Sequence, residues 1–443
     1  MGNQDIYVGL DIGTTSIKVI VAEYVQGQMN IIGVGSQRSE GLSRGVIVDI
    51  DKATVAIKAA IAQAEEKASV KIERVIAGIP ANMLKIEPVS GMIAVGDASK
   101  EITDQDVKSV AAAALVRNLP PERESLSLSP TEFIVDGFDD IKDPRGMIGV
   151  RLEMRGILFT VPKTVLHNTK KAIEKAGLTV TCVVASPLAT AQVALSDGEQ
   201  DFGTVLIDVG GGQTTAAVIH DHKLKFTDVD QEGGEFVTKD ISVVLNTGFK
   251  DAEKLKRDYG NADSLATTED ETFPVAVVGK TEPVMISEKY LSEIIEARLA
   301  QIFKRLHQAL QQANALDLPG GIVITGGTTA IPGIVELAQD IFGRAVKRYI
   351  PKEMGLRHPA FTQALGLINY AAQLTDIDIL VSSVLPTPSL SRPETKQPTA
   401  ETPRRAAAKP VSKQPTPETA EPKAEPKEKK QSWLKGFFGN FFE

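Results

Sequence analysis

The feature that most constrains this fold is a repeat. Leu10-Asp11-Ile12-Gly13 returns about 195 residues later as Ile207-Asp208-Val209-Gly210, each time ending an apolar strand ahead of a threonine-bearing turn. VGLDIG and SIKVIVAEY read as a hairpin closed by GTT, with NIIGVGSQR as a third strand. The amphipathic helix DKATVAIKAAIAQAEEKA and the strand IERVIAGIP follow. TVLIDVGGGQTTAAVIHDHKLKFTDVD then restarts the same alternation of strands and turns. Two similar α/β halves facing one another are the simplest architecture.

Each turn ends a buried strand with an aspartate and then offers small residues whose amides can approach an anion, which is phosphate-cradle chemistry. In the first turn Gly13, Thr14 and Thr15 supply amide and hydroxyl donors and Lys18 a charge. In the second, Gly210, Gly211, Gly212, Thr214 and Thr215 do the same. Asp11 and Asp208, one from each half, would face a shared cleft, where two carboxylates suit a hydrated Mg²⁺ better than direct phosphate contact. One such turn alone is as readily an ordinary hairpin; two copies after equally apolar strands weigh against that.

A third element, GGIVITGGTTAIPGIVELAQDIFG, reads as a buried strand, a Gly-Gly-Thr-Thr loop and a helix beginning near Pro332. Gly326 and Gly327 let backbone pass close to a flat ring or ribose, although turn geometry alone could also ask for them. A P-loop is excluded, because no G-x-x-x-x-G-K-[ST] occurs, and no G-x-G-x-x-G follows the first strand.

The 443 residues leave room for two or three domains, and a single cysteine excludes a disulfide framework, which makes the cytoplasm the default compartment. No apolar run reaches roughly eighteen residues, and MGNQDIYVGLDIG lacks the basic and apolar regions of a signal peptide. A formal charge of -8 argues against nucleic acid as the main partner.

Composition shifts near the C-terminus. From about Ser383 to Lys430 the chain is Pro, Thr, Ala, Glu and Lys, with too little apolar surface to offset its ordering entropy; a disordered tether is expected, the folded part ending near Val381. Beyond it lies QSWLKGFFGNFFE. On a helical wheel Trp433, Leu434, Phe437, Phe438, Phe441 and Phe442 share one half, with Lys427, Lys429, Lys430 and Lys435 nearby for anionic head groups. Too short to span a bilayer, the segment suits a membrane-surface anchor; a docking helix that returns to its own domain or to a partner's groove is the alternative.

At the three glycine-bearing loops the chain resembles the phosphate 1, phosphate 2 and adenosine motifs of the superfamily of actin, heat-shock ATPases and sugar kinases, and within it the FtsA family of bacterial cell-division proteins. TEFIVDGFDDIKDPRGMIGVRLEMRGILFTVPKT resembles the subdomain this family carries in place of the usual actin insertion, and QEGGEFVTKDISVVLNTGFKDAEKLKRDYG its nucleotide-side subdomain. The resemblance covers nearly everything but the linker. It implies an α/β, actin-like two-domain fold with a nucleotide cleft: 1–84 and 163–200 as one large subdomain, 85–162 inserted, 201–229 and 316–382 as the second large subdomain, and 230–315 beside the nucleotide. A disordered linker, 383–430, and a terminal amphipathic helix, 431–443, would follow.

The resemblance further implies ATP with Mg²⁺ as ligands, with Asp11, Gly13, Thr14, Thr15, Lys18, Asp208, Gly210, Gly211, Gly212, Thr214 and Thr215 at the phosphates. Gly233 and Gly234 would border the nucleotide, Glu253 and Lys256 the ribose and base, and Gly326, Gly327 and Thr328 the adenine. From the residues alone, Glu253 and Lys256 read equally as a solvated helix face. In the long helix ISEKYLSEIIEARLAQIFKRLHQALQQA, Arg298 becomes the candidate contact for the C-terminal peptide of the tubulin-like protein FtsZ; a solvated charge is the alternative.

Hydrolysis needs a group that orients the attacking water. Gln213, and Ser186 or Gln192 in ASPLATAQVAL, are the polar residues to consider, none decisive, so at most slow ATPase activity is expected. Cys182 reads as buried, and His220 with His222 as a hairpin turn. The functional expectation is a scaffold that polymerises at the division septum on the cytoplasmic face of the membrane, tethers FtsZ and recruits later division proteins. An actin-like platform of a pilus or secretion system, or a sugar or acid kinase, are its rivals.

Overall fold

The structure is a computed structural model that describes residues 5–385 apart from 26, 97–99 and 117–118. The linker beyond residue 385 and the terminal segment, with Trp433, Leu434, Phe437, Phe438, Phe441 and Phe442, lie outside the described residues.

The sequence repeat builds two five-stranded sheets on one plan. The first runs Thr179–Ala185, Arg74–Ile79, Asp5–Ile12, Ser16–Val25, Gln28–Arg38; the second, Val346–Arg348, Ile322–Thr325, Thr204–Val209, Thr214–His220, Lys223–Asp230. In each, a three-stranded antiparallel meander is extended by two strands running parallel to its first strand. The hairpin registers coincide as well, since Asp11 pairs with Lys18 and Asp208 with Thr215. The two aspartates therefore leave equivalent strands at equivalent places.

Helix Ile50–Ala68 shows how the first sheet is covered. The Asp49 carboxylate accepts the amides of Asp51 and Lys52 at its start, and Ser69 ends it at φ 54°. Its buried stripe, Ala53, Ala56, Ile57, Ala60, Ile61 and Ala64, follows helical spacing and lies on strand Gln28–Arg38. Gly33 and Gly35 of that strand carry no Cβ to meet the Ala64 and Ala60 carbonyls, so the two backbones come close. In the second half, helix Glu288–Gln312 buries Leu291, Ile295, Leu299, Ile302, Phe303, Leu306 and Leu310 in a core shared with that sheet. Helices Gly234–Val244 and Phe249–Tyr259 pack against it.

The inserted region forms a separate antiparallel sheet in the order Lys85–Ala94, Arg151–Pro162, Arg123–Val135, Phe138–Ile141. Helix Asp104–Ala114, started by a capping box between Thr103 and Asp106, covers it. Val107, Val110, Phe133, Leu152, Met154 and Leu158 make a core of its own.

One expected boundary differs. The end of the segment 316–382 does not stay with the second half: helix Thr362–Gln373 packs on helix Ser186–Ala194 and strand Asp5–Ile12, where Gly366 and Gly9 allow contact with the Ala189 and Ala364 carbonyls. The last helix, Asp376–Ser382, then places Ile377 and Val381 in the core of the inserted sheet. Both helices follow the apolar surface that buries them rather than their neighbours in sequence. Among the described residues, no single helix is long and apolar enough to cross a membrane.

Candidate nucleotide-binding cleft

The two repeat turns meet. The Gly13 amide closes the first on the Ser16 carbonyl at 3.2 Å, and the Gly210 amide closes the second on the Gln213 carbonyl at 3.0 Å. A Cβ on Gly211 would collide with Thr15, and one on Gly212 with Thr14, so a run of glycines is what lets the second turn mesh with the threonines of the first. Thr14 Oγ1 accepts the Gly45 amide at 2.8 Å, which leaves its own proton free to donate.

The carboxylates differ in kind. Asp11 is buried and accepts from Lys18 Nζ at 3.1 Å and from Gln363 Nε2 at 2.9 Å, one bond to each oxygen. Lys18 is thereby engaged by Asp11 rather than held out as a free charge. Asp208 has Thr215 opposite it, and among the described residues no cation pairs with it. Burial, then the charge of Asp11, push its carboxyl up to about 6, with Lys18 opposing.

The third loop supports the second turn. Gly326 sits at φ 97°, where a Cβ would also collide with the Asp208 carboxylate. Thr328 Oγ1 donates to the Gly210 carbonyl at 2.8 Å, as does the Gly234 amide at 3.0 Å, and Gly233 lies against Gly210 and Gly211. The Thr214 hydroxyl donates to the Glu232 carbonyl at 2.9 Å with its side chain buried. These four residues brace the turn from behind and do not line the cavity. Lys256 is a further brace: its buried ammonium donates to the Gly234 carbonyl at 2.9 Å and Thr238 Oγ1 at 2.8 Å and pairs with Glu253 at 2.7 Å, while burial lowers its pKa. Glu253 and Lys256 thus lie outside the cavity wall, on a helix but not on a solvated face. The helix after the loop begins at Ile334, just past the proline that was expected to open it.

The cleft encloses about 950 Å³, counting the open solvent it admits. Asp11, Gly13, Thr14, Thr15, Lys18, Asp208, Gly210, Gly211, Gly212, Thr215, Gly326 and Gly327 line it. So do Gly45, Thr190 and Gln363, for which the sequence carried no motif; Gln363 comes from a helix 352 residues beyond Asp11. Gln213 and Ser186 also reach the wall, Gln213 with its Oε1 buried and unpartnered and Ser186 donating to the Ile79 carbonyl at 2.9 Å. Gln192 lines a different cavity. Thr190 Oγ1 is likewise buried without a partner.

Elsewhere, the Arg298 guanidinium is held by Glu232 at 2.9 Å and Asp240 at 3.0 Å, and Arg305 by Asp230 and Glu232, leaving Lys304 as the exposed cation of that helix stretch. Cys182 is buried in its strand, which pushes the thiol up. Asp221 and His222 form the hairpin turn at φ 51° and 56°. Among the described residues no three of His, Cys, Asp and Glu gather to hold a metal.

Comparison with known proteins places this geometry. Residues 205–366 match the family model of cell division protein FtsA, and 81–160 match the model of the SHS2 domain inserted in FtsA, which is the four-stranded inserted sheet. The chain is 60% identical over 377 residues to cell division protein FtsA of Enterococcus hirae, covering 85% of each chain. With the Bacillus subtilis (strain 168) protein of the same name it shares 42% over 373 residues, covering 84% of this chain and 85% of the relative. With that of Escherichia coli (strain K12) it shares 30% over 385 residues, covering 84% and 91%. Among solved structures, the PilM-PilN type IV pilus biogenesis complex matches at TM-score 0.57 and 15% identity, covering 82% and 97%. MreB5 of Spiroplasma citri bound to ADP matches at 0.51 and 14%, covering 82% and 95%; at such identities the likeness speaks for the fold alone. An actin-like pair of lobes with meshed Asp-Gly turns, an inserted SHS2 sheet and this level of identity over most of the chain make it a member of the FtsA family of cell-division proteins.

Proposed function

We propose that this protein is an ATP-binding scaffold of cell division that polymerises on the inner face of the membrane, at the septum, tethers the FtsZ ring there and recruits later division proteins. The observation that carries the nucleotide reading is the meshed pair of turns: donors from both lobes line one cavity, beside a carboxylate with which no cation pairs among the described residues. The donor set fits ATP with Mg²⁺. Asp11 and Asp208 offer hard oxygen ligands, reached through water, and their mutual repulsion is what a divalent cation would relieve. Gly13, Thr14, Thr15, Gly210, Gly211, Gly212 and Thr215 would cradle the phosphates, and Gly326 with Gly327 would pass along the adenine and ribose. When bound, Mg²⁺ would supply charge neutralisation at the phosphates. Gln213 and Ser186 are present in the wall, but no residue is assigned as catalytic base, and ATPase activity on this reading is at most slow.

Because the lining comes from both lobes, a ligand that touches both favours one relative orientation of them, and with it one shape of the subunit surface available for stacking. The terminal segment, with Trp433, Leu434, Phe437, Phe438, Phe441 and Phe442, would hold each subunit to lipid, weakly alone and strongly when filament subunits share a surface. Arg298 is the proposed contact for the FtsZ C-terminal peptide, whose acidic groups would compete with Glu232 and Asp240 for the guanidinium.

Liposome co-sedimentation of the full chain, with and without MgATP, tests this. Pelleting that rises with MgATP and is abolished by Trp433→Glu with Phe437→Glu is the expected result. If both proteins remain in the supernatant under every condition, the membrane scaffold is wrong and the tail serves partner docking.

A further inference from the structure

A short hairpin outside the predicted site crosses the cleft. Leu42–Ser43 pairs with Val46–Ile47, and the turn between them is Arg44 and Gly45, at φ 49° and 80°. Two successive positive φ values are the hairpin form that suits strand twist, but asparagine, aspartate or glycine is its usual first residue. Arginine there is strained, so surrounding contacts must hold it. Two come from its own lobe: Asn82 Nδ2 donates to the Arg44 carbonyl at 3.0 Å, and the Gly45 amide donates to Thr14 of the first turn.

The remaining contacts are with the opposite lobe. Arg44 Nη1 donates to Gln231 Oε1 at 3.3 Å, and its guanidinium stands 5.9 Å from the centre of the Phe236 ring. Gly45 lies so close to the Gln213 side chain that a Cβ would overlap it. The tip thus touches the second turn, the strand end that follows it and the helix Gly234–Val244 behind it. A guanidinium holds its N–H donors in a fixed plane, so it can sit near a ring and donate at once.

We propose that the Arg44–Gly45 tip is a clasp joining the lobes across the cleft, and that it sets how long a bound nucleoside triphosphate stays; the second part rests on the nucleotide reading above. Release requires the lobes to part, and parting them breaks the contacts of Arg44 with Gln231 and Phe236 and of Gly45 with Gln213. Arg44 is exposed, so these contacts are individually weak. The clasp therefore tunes a rate and does not lock the cleft.

The test uses the full chain, loaded with a fluorescent N-methylanthraniloyl ATP and Mg²⁺ and chased with excess ATP in a stopped-flow instrument. Arg44→Ala is expected to speed dissociation roughly five- to fiftyfold, the size of one exposed cation–π contact and one side-chain hydrogen bond. Phe236→Leu should speed it too, and the double variant should be no faster than Arg44→Ala alone, because the contact that Phe236 supplies is already gone in Arg44→Ala. Unchanged dissociation in Arg44→Ala, or effects that multiply in the double variant, would overturn the clasp. Amide hydrogen exchange of the nucleotide-free protein reads the clasp independently: exchange at Gly210 to Gln213 should rise in Arg44→Ala, and no rise there refutes it. A wild-type chain that fails to bind the analogue would sink the nucleotide reading while this exchange comparison still decides the clasp.

Discussion

Lys18 lies directly across the first hairpin from Asp11, and its ammonium sits 3.1 Å from the carboxylate; at the equivalent place in the second hairpin, Asp208 faces Thr215 instead. Two strands of the same plan therefore bring one compensated and one uncompensated acid into one cleft. The charge imbalance is local, and in the proposed function a divalent cation would complement it.

Removing the compensation should be costly. Lys18→Met leaves the buried Asp11 carboxylate beside Asp208 with only the Gln363 amide to stabilise it. The expected loss is about 3–5 kcal/mol, the usual result of deleting one partner of a buried pair. Urea unfolding at neutral pH measures it, and millimolar Mg²⁺ should recover part of the loss in the variant.

Asp208 predicts the direction of a pH effect. Its carboxyl is raised from 3.8 to about 6, so between those values the folded chain holds the proton that the unfolded chain has released. That contribution to stability is fully present below about 4 and is lost as pH rises through about 6, at roughly 1.4 kcal/mol per unit of difference. Thermal unfolding of Asp208→Asn across this window should lack that share of the decline, and Asp208→Asn should be the more stable protein at neutral pH without Mg²⁺. A parallel decline in both proteins would contradict this account.

The meshing of the turns is sensitive to a single methyl. Gly212→Ala puts a Cβ against Thr14, so the lobes must separate to admit it. Nucleotide affinity by calorimetry should fall at least about tenfold, equivalent to about 1.4 kcal/mol. Gly212→Ala combined with Thr14→Gly should regain part of it, because the facing side chain has been removed.

Lys256 separates bracing from ligand contact. Lys256→Ala removes the buried cation beside Glu253, which keeps only the Thr238 hydroxyl and the more distant Arg257, and takes one donor from the Gly234 carbonyl, so stability should drop by about 2–3 kcal/mol. Lys256→Met with Glu253→Gln removes both charges at similar volume and should restore most of the stability. If nucleotide affinity is normal in that double variant, the pair acts by holding the helix; a large loss of affinity in a stable protein would show that it touches the ligand.

Much of the fold and part of the cleft are legible in the amino-acid sequence, for particular reasons. The strands around Asp11 and Asp208 can be read because a hairpin is local: its apolar alternation and its turn residues are contiguous in sequence. The glycine run 210–212 is readable as a tight turn for the same reason, and the inserted sheet is recognisable by its resemblance. Local pattern also delimits helix Ile50–Ala68, whose cap and stripe are written in neighbouring residues.

What only the tertiary structure decided was which distant pieces share a surface. Gln363 as the second partner of Asp11, the return of helix Thr362–Gln373 to the first lobe, Asp376–Ser382 in the inserted core, and Arg44 against Phe236 leave no periodicity or motif behind. The same holds for Lys256 and Arg298, which look like solvated helix charges in sequence and prove to be engaged by Glu253 and by Asp240 with Glu232. Local hydrogen-bonding and side-chain preferences act over a few residues and are encoded where they act. Burial acts over the whole folded surface, so the partner of a buried polar group depends on how every layer is stacked, and that is set by the three-dimensional packing of the chain.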